Sequence, residues 1–160
     1  MIDLRRISFG GTAALVMSMG LIVGLDAASA GTNAVLSSLL IVGIADNLTD
    51  SLSIHVYQES ENLPAREAFR TTAINFIARL CVTFSFVSML ISLPSSVANV
   101  VCILWGFGLL STLSYFLARR RGASPLAEIA KHGAVAVSVI FISKVIGTWI
   151  FNLTNLISLM

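Results

Sequence analysis

Charged residues are scarce in this chain. Its 160 residues include ten Lys and Arg and eight Asp and Glu, so that 11% are charged, whereas 56% are hydrophobic. This leaves too little polar surface to solvate a globular protein. The composition argues against an ordinary soluble domain and favours a membrane protein.

Cysteine and catalytic motifs are also scarce. Cys81 and Cys102 stand alone, without the spacing of a disulfide framework or a metal site. The chain has no His-Glu-x-x-His motif, no Gly-x-Ser-x-Gly motif and no nucleophile placed beside a base. It also lacks a long loop or a low-complexity tract. These absences predict a single membrane domain over residues 1–160, which is not an enzyme and has no resident cofactor.

The apolar residues fall into five blocks, each close to the roughly 20 residues that a membrane-spanning helix needs. The blocks cover residues 7–25, 34–56, 73–93, 97–117 and 133–157. Because only helices satisfy their backbone in lipid at this hydrophobicity, the predicted fold class is an all-α membrane protein with five transmembrane helices. Pro94 lies in the short connection between the third and fourth blocks, which should form an antiparallel hairpin.

The positions of the cations predict an orientation. They lie before block one, between blocks two and three and between blocks four and five: Arg5, Arg6, Arg66, Arg70, Arg119, Arg120, Arg121 and Lys131. The other connections and the tail carry none. The positive-inside rule then places the N-terminus in the cytoplasm and the C-terminus outside. The excess of basic residues therefore reflects orientation and predicts no nucleic acid partner.

The first block has a second interpretation. Two arginines, an apolar run and the small residues Ala28 to Ala30 resemble a signal peptide with its cleavage site. The length of the run and the intervening Asp26 favour a retained helix. Cleavage would leave four crossings with unchanged orientations.

Four charges lie inside the apolar blocks. Asp46 and Asp50 are one helical turn apart in block two, on a face that continues to Ser53. Arg79 lies in block three and Lys144 in block five. Counting ~1.5 Å per residue places Asp46 and Lys144 near the midplane, and Asp50 and Arg79 nearer the cytoplasm. Matched depths predict two ion pairs, Asp46 with Lys144 and Asp50 with Arg79.

These charges have two interpretations, which the sequence leaves open. The pairs either tie the helices together, or they form a coupling site in which a carboxylate exchanges its partner for a metal ion or a proton. As metal ligands, Asp46, Asp50 and Ser53 supply hard oxygen atoms, and His55 would add an imidazole suited to iron or manganese. His55 could equally be a histidine at the membrane interface.

Short segments distributed along the chain resemble the vacuolar iron transporter family, which moves ferrous iron and manganese across membranes. The similar segments are residues 10–16 of the first helix, residues 53–59 at the end of the second, the basic connection from Arg119 to Leu126, and Ile146-Gly147 in the last helix. The resemblance implies five helices, transport of a divalent cation and a homodimer in which helix one lines the path.

The chain also departs from the family pattern. Ile54 and Gln58 occupy the positions of the family's methionine and glutamate in helix two, and the connection at 57–72 is too short for the family's cytoplasmic metal-binding segment. The expectation is therefore a divergent transporter of Fe²⁺ or Mn²⁺ with a modified site, with or without proton coupling. The alternative is a non-transporting assembly or structural subunit. The host membrane would be the bacterial inner membrane or that of an organelle.

Two glycines on helix one bear on assembly. Gly20 and Gly24 form a small-xxx-small pattern, which permits close approach of another helix. Together with the resemblance, this pattern predicts a homodimer through helix one.

Overall fold

Five helices account for nearly all of the described chain. The computed structural model of this protein describes residues 4–159, with side chains for residues 10–159. The helices are α1 (Leu4–Ala27), α2 (Thr32–Ser60), α3 (Ala65–Ser92), α4 (Ser95–Arg121) and α5 (Pro125–Ser158). All five contain a segment long and apolar enough to cross a membrane. The prediction of an all-α fold with five helices long and apolar enough to cross a membrane is confirmed. The side chains of Arg5 and Arg6, used to predict orientation, lie outside the described residues.

The helices extend beyond the apolar blocks, most of all at the starts of α3 and α5. The sequence predicted these starts at 73 and 133, whereas the helices begin at Ala65 and Pro125. Hydropathy identifies the apolar part of a helix. It does not detect the polar turns by which the same helix extends beyond that part. Pro125 occupies the first turn, where its missing N–H is no loss. Pro64 stands at the N-cap of α3.

Three helices end in the same hydrogen-bonded turn, in which one residue adopts a left-handed conformation. These residues are Ser29 after α1, Asn62 after α2 and Gly122 after α4, with φ of 58°, 56° and 68°. After α4, the N–H of Ala123 donates to the carbonyl of Ala118 at 3.0 Å. This is a Schellman motif, which satisfies carbonyls that the helix leaves free. Such turns reverse the chain within a few residues and keep consecutive helices antiparallel.

Helix α1 lies at the centre of the bundle and contacts the other four helices. Helix α2 packs mainly against α3, and α5 packs against α1 and α4. Within the described residues, α2 and α5 form no substantial contact with each other. A cleft therefore lies between α2 and α5, with α1 as its floor.

The interior differs between the two ends of the bundle. We call the end that carries the 60–65 and 121–125 connections, and with them Arg66, Arg70 and Arg119 to Arg121, the basic end. Away from it the core is apolar and includes Met19, Ile22, Phe86, Leu90 and Cys102. Towards it the buried side chains include Asn47, Ser51, Gln58, Asn75, Arg79 and Ser114.

The small residues Gly20 and Gly24 on α1 form a packing contact with α5 of the same chain. A Cβ at Gly20 would press on Val139 and Ser143 of α5, and one at Gly24 would press on Ser143. Gly147 of α5 in turn lies against the backbone of Gly24. These glycines let α1 and α5 of one chain approach closely, so their spacing is explained without a second copy.

Candidate functional site

Arg79 binds both aspartates of α2. Its Nη1 donates to Asp50 Oδ2 and its Nη2 donates to Asp46 Oδ2. The two carboxylates project one turn apart from α2, which matches the fork of a guanidinium group. Arg79 is 2% exposed, whereas the side chains of Asp46 and Asp50 are 40% and 36% exposed. We call these three residues the carboxylate clamp.

The predicted pairing was right for one ion pair and wrong for the other. Asp50 pairs with Arg79, but Asp46 shares the same arginine and does not meet Lys144. Lys144 is exposed on α5 and forms no ion pair with the described residues. Depth along the helix axis was the only basis for the prediction. The direction in which each side chain points depends on helix rotation, and α1 lies between α2 and α5.

The carboxylate clamp contains one more acidic group than basic groups. At the formal charges of its side chains, two carboxylates and one guanidinium sum to −1. Both hydrogen bonds use Oδ2 atoms, so each Oδ1 takes no part in the clamp. A net negative group at membrane depth is stabilised by a cation or by a proton.

The carboxylate clamp lines the cleft between α2 and α5, whose volume is about 600 Å³. All five helices contribute to this cleft. Besides the clamp, the lining residues are Thr12, Ala13, Val16, Met17, Leu110, His132, Val135 and Val139. The walls are thus largely apolar, with charge and imidazole groups at a few points, as in many ligand sites.

His132 is a cleft residue that the sequence analysis did not single out. Its Nδ1 lies 2.7 Å from Ser114 Oγ, and that hydroxyl donates to the carbonyl of Leu110 at 2.6 Å. Because a hydroxyl has one hydrogen, Nδ1–H donates to Ser114, which leaves Nε2 as the other polar atom of the ring. Glu128 Oε2 lies 4.0 Å from Nε2. Since Ser114 and His132 lie on different helices, no local spacing pointed to their contact.

Ser53 and His55 do not join the carboxylate clamp. The Ser53 hydroxyl donates to the carbonyl of Thr49 at 2.9 Å, and His55 Nε2 lies 3.4 Å from Glu59 Oε1. Neither residue lines the cleft. The predicted four-residue ligand set is therefore not assembled. Among the residues with described side chains, no three His, Cys, Asp or Glu residues are grouped closely enough to hold a metal ion.

Asn75 is a buried polar residue next to the carboxylate clamp. It is 1% exposed and lies one turn before Arg79 on α3. A Cβ at Gly10 of α1 would overlap its amide, so glycine is required there for α1 to pack on α3.

Comparison with models of known families, with curated proteins and with solved structures finds no match for this chain. The resemblance to the vacuolar iron transporter family therefore stays a hypothesis.

Proposed function

We propose that this protein transports divalent cations across a membrane and that the carboxylate clamp is its ion-binding group. The observation that carries the proposal is a net charge of −1 on Asp46, Asp50 and Arg79, placed in a cleft reached by all five helices. A purely structural pair would be neutral. Here one carboxylate exceeds what Arg79 neutralises, and a transported cation supplies the missing charge.

The cleft also supplies donors that suit Fe²⁺ or Mn²⁺. Carboxylate oxygens bind both ions, and the imidazole of His132 and the thioether of Met17 line the same cleft, although these groups are not close enough in this conformation to hold one ion together. Nitrogen and sulfur donors favour transition metals over Mg²⁺ and Ca²⁺. When a cation binds, Arg79 releases one carboxylate and keeps the other, so the arginine itself is never left unpaired.

We further propose that the basic end faces the cytoplasm, on the basis of Arg66, Arg70 and Arg119 to Arg121. An impermeant thiol reagent would test this in sealed cells. A cysteine in the Arg121-to-Pro125 connection should react only after the membrane is permeabilised. A cysteine after Ser158 should react already in sealed cells. The reverse result would refute the orientation.

A second copy of the chain is the proposed cover for the cleft side of α1. Met17, Leu21 and Leu25 are half-buried there and line an apolar groove of about 370 Å³ against α5. In membranes, disulfide crosslinking through Met17→Cys or Leu21→Cys should give a dimer. Phe141→Cys, on the exposed face of α5, is the control and should stay monomeric. Equal crosslinking at all three positions would argue against this interface.

Transport is tested in proteoliposomes by uptake of Fe²⁺, Mn²⁺, Ca²⁺ and Mg²⁺, with a pH-sensitive dye inside. Asp46→Asn removes the excess carboxylate but leaves Asp50 paired with Arg79, so the protein should fold with its stability changed by less than about 1 kcal/mol. Uptake should nevertheless fall at least tenfold. Asp26→Asn, an exposed acid at the other end of the bundle, is the control. Full uptake in Asp46→Asn would refute the proposed site.

The carboxylate clamp also fits a second function, a structural tie in a non-transporting subunit. The observation that favours it is that both Nη atoms of Arg79 are already bound and the arginine is buried. The same experiment separates the two functions. A structural subunit moves none of the four ions before or after mutation, whereas the transporter loses uptake when Asp46 is neutralised.

A further inference from the structure

The buried interface between α2 and α3 contains polar atoms without partners. Eight such side-chain atoms occur among the residues with described side chains, and all eight belong to these two helices. We call the residues that carry them the polar seam: Asn47, Ser51, His55, Gln58, Thr72, Asn75 and Arg79. Asn47 binds through its Nδ2 to the carbonyl of Phe76 at 2.9 Å, but its Oδ1 has no partner.

The polar seam forms a continuous row. Its α2 members recur every three or four residues from Gln58 to Asn47, and its α3 members do so from Thr72 to Arg79. Since α2 and α3 are antiparallel neighbours, both rows start near the basic end and finish at the carboxylate clamp. Beyond the clamp, Gly43 packs tightly against Thr83, which closes the interface.

Burial makes these unpaired atoms informative. Asn47, Asn75 and Arg79 are 0%, 1% and 2% exposed, and Ser51 and Gln58 are 7% and 8% exposed. An unpaired polar atom in a dry interior is costly, and native proteins satisfy nearly all such atoms with protein groups or bound water. Two of the eight atoms belong to the Asn75 amide, which packs against Gly10 of α1; the other six, spread along α2 and α3, argue that this region is not dry. A bound water molecule forms two to four hydrogen bonds, so one molecule can serve several of these atoms.

We propose that the polar seam holds a file of bound water that runs from the basic end to the carboxylate clamp. The file gives the Arg79-bound carboxylates contact with bulk water by a route separate from the cleft. The hydration of the seam stands independently of the proposed function.

Hydroxyl-radical footprinting by water radiolysis tests the hydration directly, because radicals formed from bound water oxidise the nearest side chains. Single cysteines are introduced by Ser51→Cys or Gln58→Cys in the full chain, with Cys81 and Cys102 replaced; Ser51 and Gln58 are 7% and 8% exposed. Thr83→Cys is the matched control, since Thr83 lies beyond the clamp and is 4% exposed. The two seam thiols should oxidise several-fold faster than the control thiol. Equally slow oxidation at all three positions would overturn the proposal.

Discussion

The two halves of this bundle are packed by different means. Away from the basic end, the helices meet through apolar side chains such as Met19, Phe86 and Leu90, and glycines allow close approach. Towards the basic end they meet through Asn47, Asn75 and Arg79. In a membrane the apolar half gains mainly from dispersion contacts, because lipid is as apolar as the core. The polar half gains from hydrogen bonds and charge, which makes it the half that can respond to an ion.

The largest expected effect comes from removing Arg79, the one buried cation among the described side chains. Arg79→Met leaves two carboxylates facing each other, and breaking a buried ion pair in this way should cost roughly 3 to 5 kcal/mol of unfolding free energy. Thermal unfolding in detergent measures the loss. The triple variant Asp46→Asn, Asp50→Asn, Arg79→Met should recover most of it. If the triple variant is no more stable than Arg79→Met, charge is not what the clamp contributes.

A smaller effect tests the apolar half. A Cβ at Gly106 would overlap Met19 and meet Phe86, so Gly106→Val should overpack the core and cost about 1 to 3 kcal/mol. Gly108→Val is the matched control on the same helix, because a Cβ there meets nothing within 4 Å. A difference in melting temperature between the two variants measures the tightness of packing. Equal melting temperatures would mean that the apolar half is loosely packed.

The smallest effect is expected at Lys144. This residue is exposed and forms no ion pair with the described residues, so Lys144→Met should change the unfolding free energy by no more than about 0.5 kcal/mol. Metal uptake should also be unchanged. A marked loss of stability would show that Lys144 has a partner outside this chain, and would weaken the distinction drawn between the clamp and the rest of the membrane charges.

The sequence predicted axial positions well and rotational positions poorly. Apolar blocks of about 20 residues are a strong signal, so the five helices were found. Asp50 and Arg79 were matched by depth on adjacent antiparallel helices, and they do meet. Asp46 and Lys144 were matched by the same rule but lie on α2 and α5, which α1 separates. Depth alone predicts a contact only when the two helices are neighbours.

His132 shows a further limit. Its partner Ser114 lies 18 residues away on another helix, and the contact depends on the turn at Gly122 that brings α4 and α5 together. The spacing of residues along the sequence does not predict such a contact. In the sequence, His132 lies at the end of a predicted connection, and nothing there favoured it over His55 as a site residue. The structure places His55 beside Glu59.

The bidentate attachment of Arg79 to Asp46 and Asp50 restricts how α2 and α3 can move relative to each other. If α2 slid along α3 by one turn, about 5.4 Å, the guanidinium would face either the pair Val42 and Asp46 or the pair Asp50 and Ile54. In either case it would lose one of its two hydrogen bonds, because an apolar side chain would take the place of a carboxylate. The clamp therefore fixes the register of the α2–α3 hairpin. Under the proposed function, α2 and α3 would then have to move as one unit between the two sides of the membrane.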